Sequence, residues 1–341
     1  MRVDDLLAVI EATADPGRAA SWDRSGVQIA GTAERCDKLA VALDPSPDLA
    51  RQALAWGAQV ILTHHPVSLA PRLPDRLDDH HRLLTLVLSR GAWLYAAHTS
   101  LDTVVDGPPA WLADAFALVG RRILEPAGRI PHLAVRWRAA SPPSGRAALA
   151  GLNGVSVMLL GNDLLEAVFP RRLTARVLAM VAAACPDARE LSRLSLDEPA
   201  EAYGYGLVGD LPAPLPLDAL LARLADLLPR RFFLLAGSAP ETVSRLAYCP
   251  GSGADMAGRA FAAGAEVYLT GDLKYHQALA VPPGRCVVDV GHFSLEEVMM
   301  RRFAESLAAE LGPDGPAVRY FPGNDPFSAH VPGSDLPRRT E

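Results

Sequence analysis

ILTHHPV, residues 61–67, sets two histidines side by side at the end of an apolar run. Neighbouring side chains in a strand point to opposite faces. Pro66 disfavours helix at His65 and ends regular pairing beyond it, so both imidazoles can leave the strand and reach two metal ions lying close together. Complementary groups occupy similar places elsewhere. Asp102 follows the apolar run AWLYAAH (92–98), and His292 and Glu296 follow the first residues of CVVDVGH (286–292). Three histidines and two carboxylates suit Zn²⁺, Fe²⁺ or Mn²⁺. A pair of such ions about 3.5–4 Å apart can activate a water and clamp a displacement at both ends. The expected metal ligands are His64, His65, Asp102, His292 and Glu296, for two divalent metal ions per subunit.

The elements that must position these groups read as α/β. Between residues 1 and 125, helices at Asp4–Ala14, 46–57, 82–91 and 108–120 alternate with strands at 36–44, 58–66 and 92–98. Short apolar runs alternating with helices imply βαβ units and a mostly parallel sheet. Ser46 and Pro47 suit the N-cap and first turn of the second helix. Residues 128–200 differ in texture. HLAVRWRA alternates like a strand with one exposed face, GNDLLEAVFP is ambiguous, and TARVLAMVAAACP reads as a helix, together a small α+β insertion. From 203 the first pattern resumes through CVVDVGH and a long helix beginning near 294, and the tail after 322 reads as irregular. The expected domains are a first α/β lobe at 1–127, the insertion at 128–200 and a second lobe at 201–341.

The two lobes echo one another. RQALAWGAQVILTHH (51–65) aligns with RAFAAGAEVYLTGD (259–272) when Gly57 is laid on Gly264. The following strands end in AAHTSLD and DVGHFSLEE, which pairs His98 with His292 and Asp102 with Glu296. Each lobe thus places polar residues at its strand ends, and in open parallel sheets that carboxyl edge is where ligands bind.

Plainer readings stand beside these. Asp102 and Glu296 also suit helix starts, where the dipole favours acids. Ser294 and Glu297 form an S-x-x-E capping pattern that would start the helix near 294, with His292 in the loop before it. His98 could orient a ligand instead of binding metal, and Asp272 with Lys274 could be an ordinary ion pair. PGSGAD (250–255) is a Gly-rich turn that could hold a phosphate, though it fits no phosphate-binding fingerprint. A second pair, His80–His81 in RLDDHHR, reads as solvated surface or helix start.

The chain has 341 residues, 50% of them hydrophobic, and a net charge of −6. It has no basic stripe, so nucleic-acid binding is not expected. Its four cysteines, Cys36, Cys185, Cys249 and Cys286, form no CxxC pair and read as reduced thiols of a cytosolic protein. The amphipathic start MRVDDLLAVIEATADP reads as a helix instead of a signal peptide, and no apolar run approaches a membrane span, so the expected location is cytoplasmic.

SWDRSGVQIAG (21–31), ILTHHPV, AAHTSLD, YCPGSGAD, AEVYLTGDLKYHQAL (265–279) and DVGHFSLEE, in this order, resemble the Nif-three-like dinuclear metal-centre family, whose members are named GTP cyclohydrolase I type 2 homologs. The resemblance covers the chain outside the insertion. It implies the same five ligands with Glu296 bridging, His98 and Asp272 lining the site, a homohexameric ring, and an insertion like the PII signalling proteins, here shortened. The chain departs from the family pattern at DRSGVQ (23–28), where DNxGLQ is usual, and at Gly107-Pro108-Pro109.

Two functions follow as expectations. One is a cyclohydrolase-like, metal-dependent hydrolase in which metal-activated water attacks a nucleotide-like small molecule. His98 and Asp272 would be catalytic, His98 moving the proton, and Lys274 or Ser252 of the PGSGAD turn would hold phosphate. The other is a non-enzymatic metal-binding or regulatory scaffold. Open positions on two metals with five protein ligands favour the first.

Overall fold

The computed structural model describes residues 1–152 and 154–330. The fold is α/β. One compact unit takes residues 1–125 and 204 onward, and a second takes residues 126–203.

The first part of the larger unit runs α1 (Val3–Thr13), β1 (Gly26–Ile29), β2 (Lys38–Ala42), α2 (Pro47–Trp56), β3 (Val60–Thr63), α3 (Asp79–Ser89), β4 (Trp93–Ala96), the single turn α4 (Thr99–Asp102) and α5 (Trp111–Ala115). α2 starts as its residues dictate: Ser46 accepts a hydrogen bond from Leu49 N at 3.1 Å, and Pro47 needs no N–H partner. The helix expected over 108–120 is shorter. It opens as a 3-10 turn at Pro108–Ala110, and Ala117 leaves it with a φ of 51°.

The chain then passes through β5 (Val119–Arg138), α6 (Pro142–Leu149), β6 (Ser156–Leu159), β7 (Leu164–Phe169), α7 (Thr174–Ala184) and β8 (Arg189–Pro216). In the smaller unit, β6, β7 and β5 pair antiparallel. Val135, Trp137, Leu165 and Phe169 of this sheet bury against Leu149, Val177 and Val181 of α6 and α7. The segment GNDLLEAVFP thus supplies a strand, β7, with Leu165 and Ala167 facing this core.

The remainder of the larger unit holds α8 (Leu217–Leu227), β9 (Leu234–Gly237), β10 (Thr242–Tyr248), α9 (Ala257–Ala262), β11 (Val267–Thr270), α10 (Tyr275–Leu279), β12 (Cys286–Asp289), α11 (His292–Leu311) and β13 (Ala317–Tyr320). The echo read from the sequence is architectural. β2, β3 and β4 pair in parallel, as do β10, β11 and β12. Each trio carries an antiparallel edge strand, β1 on β4 and β9 on β12. Gly57 and Gly264 end the corresponding helices at φ 90° and 91°, the left-handed close that glycine permits. β13, in a stretch with no strand signal recognised above, adds in parallel to β2.

One core joins the two lobes. Leu39, Val41, Leu62 and Tyr95 of the first sheet and Leu246, Tyr248, Leu269 and Val288 of the second bury with residues of α1, α5, α8 and α11 in a single cluster. Ala40, Ile61 and Leu94 point the other way, against α2 and α3. With the sheets held on this shared layer, the carboxyl ends of both parallel trios can deliver side chains to one place. No helix among the described residues is long and apolar enough to cross a membrane.

Candidate metal centre

Every parallel strand of the two trios sends a group to the same centre. β2 is followed by Asp44, β3 by His64 and His65, and β4 by His98 and, one turn on, Asp102. β10 is followed by Gly251, β11 by Asp272, and β12 by His292 and Glu296. α11 begins at His292 with Gly291 at its N-cap, which overturns the start near 294. Ser294 is fully buried with no hydrogen bond to its hydroxyl, and the Glu297 carboxylate accepts from Gly323 N at 2.7 Å, so no capping box forms. The earlier start puts His292 and Glu296 on one helix face, four residues apart.

Glu296 is the hub. It is 3% exposed. Its Oε1 lies 3.5 Å from His64 Nε2, and its Oε2 lies 3.2 Å from His65 Nε2 and 3.1 Å from His292 Nε2. His64 Nε2 is also 3.6 Å from Asp102 Oδ1. Among the described residues, the groups that could share an ion are His64–Asp102–Glu296, His65–His292–Glu296 and His64–His65–His98, each with ligand atoms within 4.8 Å of one another. All five expected ligands meet here, and His98 meets them too.

Each imidazole is held by its other nitrogen. The Nδ1 atoms of His65, His98 and His292 lie 2.7, 2.7 and 2.8 Å from Asp44, Asp23 and Asp272, and His64 Nδ1 lies 2.8 Å from the carbonyl of Ala97. This is how metal-binding histidines are oriented and made more basic. Asp23 is itself fixed by the Thr99 amide and hydroxyl and by Ser25; the His98 ring, with Thr99 and Ser25, holds its carboxyl below the usual carboxylate range despite burial. Asp272 takes the left-handed conformation, φ 58°, unusual for a residue other than glycine, in reaching His292.

The donor set fits a divalent ion. His64 Nε2, Asp102 Oδ1 and Glu296 Oε2 are buried with no hydrogen-bond partner, a costly arrangement unless something else is ligated. Burial disfavours charge on His65, yet the neighbouring Asp44 and Glu296 carboxylates prevail and push it up to about 10. The same balance, with Glu296 and Asp272, takes His292 to about 9. Burial raises Asp102, while Glu296, against its own burial, is held well below the usual range by the His64, His292 and His65 imidazoles.

Other expected residues lie apart. Ser252 and Lys274 are exposed, and neither lines the cavity beside His65 and His292. His80 and His81 begin α3, where Asp78 caps His81 N at 3.1 Å. Asp44 and Asp23 were missed. Asp44 stood at a strand end, where the rule that found His64 applied equally; Asp23 has only its place in SWDRSGVQ.

Proteins named GTP cyclohydrolase 1 type 2 homolog from Mycobacterium tuberculosis and Mycobacterium bovis are each 27% identical to this chain, over 98% of it and 99% of their own length. One from Listeria innocua is 25% identical over 95% and 97%. Among solved structures, a Bacillus cereus protein related to NIF3 superposes with a TM-score of 0.77 at 23% identity, covering 97% of this chain and 99% of its own. Reduced HcgD from Methanocaldococcus jannaschii gives 0.61 at 21% identity, over 91% and 95%. The model of the Duf34/NIF3 (NGG1p interacting factor 3) family matches residues 1–319, and the chain belongs to that family.

Proposed function

We propose that the chain is a metal-dependent hydrolase of a small molecule, holding two divalent ions between its lobes with Glu296 shared by both. The observation that carries this is the division of Glu296: one oxygen faces His64, and the other faces His65 and His292. His64 and Asp102 would complete one ligand set, His65 and His292 the other. Divalent ions there supply Lewis acidity toward a water and toward the bond it attacks.

The chain's own groups do the rest. Asp44, Asp272 and the Ala97 carbonyl fix three rings so that their Nε2 atoms converge without reorganisation. Asp272 is therefore a positioning residue acting through His292. His98, backed by Asp23, is placed to hold or pass a proton at the centre. The name carried by the relatives makes GTP the first substrate to assay.

Metal analysis of protein purified without chelator should find about two ions per chain, and the loaded protein should hydrolyse a compound in a screen of nucleotides and nucleosides. Bound metal with no turnover across the screen leaves the non-enzymatic scaffold as the better reading. No bound metal, with the fold intact, defeats both.

Metal uptake should also expel protons. A ligating imidazole must be neutral, whereas His65 and His292, raised to about 10 and about 9, carry protons at neutral pH in the metal-free protein. Apparent affinity should therefore rise with pH until about 10 and weaken as pH falls. Calorimetric titration of Zn²⁺ in buffers of different ionisation enthalpy checks this. Uptake without proton release at neutral pH would contradict it.

A further inference from the structure

Beside His65 and His292 lies a cavity of about 510 Å³, within the range of small-molecule sites. Its apolar wall comes from Leu43, Leu234, Leu273, Phe232, Phe293 and Phe327. Its charged groups are Asp44, Asp272, Asp289, Asp325 and Arg230. Asp44 and Asp272 are engaged with the imidazoles. Asp289 accepts from Leu273 N at 3.0 Å and Gly291 N at 2.8 Å.

Apart from the two imidazoles, Arg230 is the one basic side chain among the described lining residues, and its charge is already matched. Its Nε and a terminal nitrogen donate to the two oxygens of Asp325 at 2.8 and 3.1 Å, and its side chain is 8% exposed. The guanidinium lies over Phe232 at 4.8 Å and over Phe327 at 5.8 Å, so it is flanked by aromatic rings while a carboxylate holds its edge. Among the described lining residues, no unpaired lysine or arginine waits for a phosphate on this wall.

The surroundings sharpen the point. Asp23, Asp44, Asp102, Asp272, Asp289 and Glu296 bring six carboxylates to the centre and the cavity. Two divalent ions would supply four positive charges. A ligand adding phosphates would bring further negative charge to a wall whose own guanidinium is already paired, leaving only the ions to offset it.

We infer that this cavity takes an uncharged, ring-bearing molecule of nucleoside size and discriminates against its triphosphorylated form. The ring packs on the wall of Phe232, Arg230 and Phe327, and the reacting bond faces His65 and His292. The inference rests on the hydrolase reading for what happens to the ligand, but not for its binding.

Guanosine and GTP differ only in phosphate, which makes them the probes. By titration calorimetry on the protein with its purified metal, guanosine should bind at least about tenfold more tightly than GTP, a gap of roughly 1.4 kcal/mol. Phe327 is 66% exposed, so Phe327→Ala should leave fold and metal content intact. It should weaken guanosine binding several-fold by removing one face of the wall. Asp325→Ala, which unpairs Arg230, should narrow the gap by strengthening GTP. GTP binding as tightly as guanosine, no guanosine binding at millimolar concentration, or indifference to Phe327→Ala would each overturn the inference. Turnover is not read in this titration. A chain that prefers guanosine but hydrolyses nothing keeps the ligand class and loses the hydrolase.

Discussion

Glu296→Gln should strip the centre of metal and abolish hydrolysis while the protein still folds. The substitution keeps the size of the side chain and removes its charge. That charge faces His64, His65 and His292 at 3.5, 3.2 and 3.1 Å, so no other residue can replace it for either ligand set. Residues that merely orient a ligating histidine typically cost about 10–100-fold in affinity or activity. Glu296 should cost more than that, at least about 10³-fold in turnover, because both ligand sets lose a member. The metal-free variant also loses the counter-charge to buried imidazoles, and breaking such a pair destabilises by about 3–5 kcal/mol. Circular dichroism at low temperature checks the fold, and metal analysis reads the site. His81→Ala, which alters the other histidine pair at the start of α3, should change neither. Normal metal content in Glu296→Gln would remove the shared-ligand reading.

What could be read in advance follows from how local the cause is. The groups at His64, Asp102 and His292 were legible because an apolar run stops just before each and an acid or imidazole follows within a few residues. The doubling of the lobes was legible because Gly57 and Gly264 end matching helices for the same backbone reason. The start of α11 was not. Ser294 and Glu297 have the spacing of a cap, but core packing buries Ser294, and Gly323, far along the chain, takes Glu297. The partners of the imidazoles were hidden for a similar reason. Asp23 and His98 are 75 positions apart, and Asp272 and His292 are 20 apart, so no local pattern announces either bond. The cavity wall draws Arg230 and Phe232 from just after α8, and Asp325 and Phe327 from beyond β13 in a stretch read as irregular. Of that tail, residues 331–341 lie outside the described residues.

Gly251→Ala tests what the PGSGAD turn is for, with an effect nearly as large as that of Glu296→Gln. By sequence, PGSGAD could hold a phosphate or be a plain turn. In the fold, the turn approaches the metal ligands themselves. A Cβ on Gly251 would sit 2.2 Å from Glu296 Oε1 and 3.6 Å from His292 Nε2, and the residue has a φ of 65°. The turn cannot easily back away, because the Gly251 carbonyl accepts from Gly271 N at 2.9 Å and Gly253 N donates to the Thr270 hydroxyl at 2.9 Å. Alanine would add roughly 1–2 kcal/mol of left-handed backbone strain. The clash would also push the Glu296 carboxylate out of line with His64, so metal content and turnover should fall together. Ser252→Ala separates the two meanings of the turn. Ser252 is exposed and away from the cavity, so its loss should change metal content and turnover by less than about twofold, within the range of a neutral surface change. If Ser252→Ala lost turnover on a phosphorylated substrate while Gly251→Ala kept its metal, the turn would be a phosphate grip after all. The opposite result would mean that this glycine serves the metal ligand lying against it.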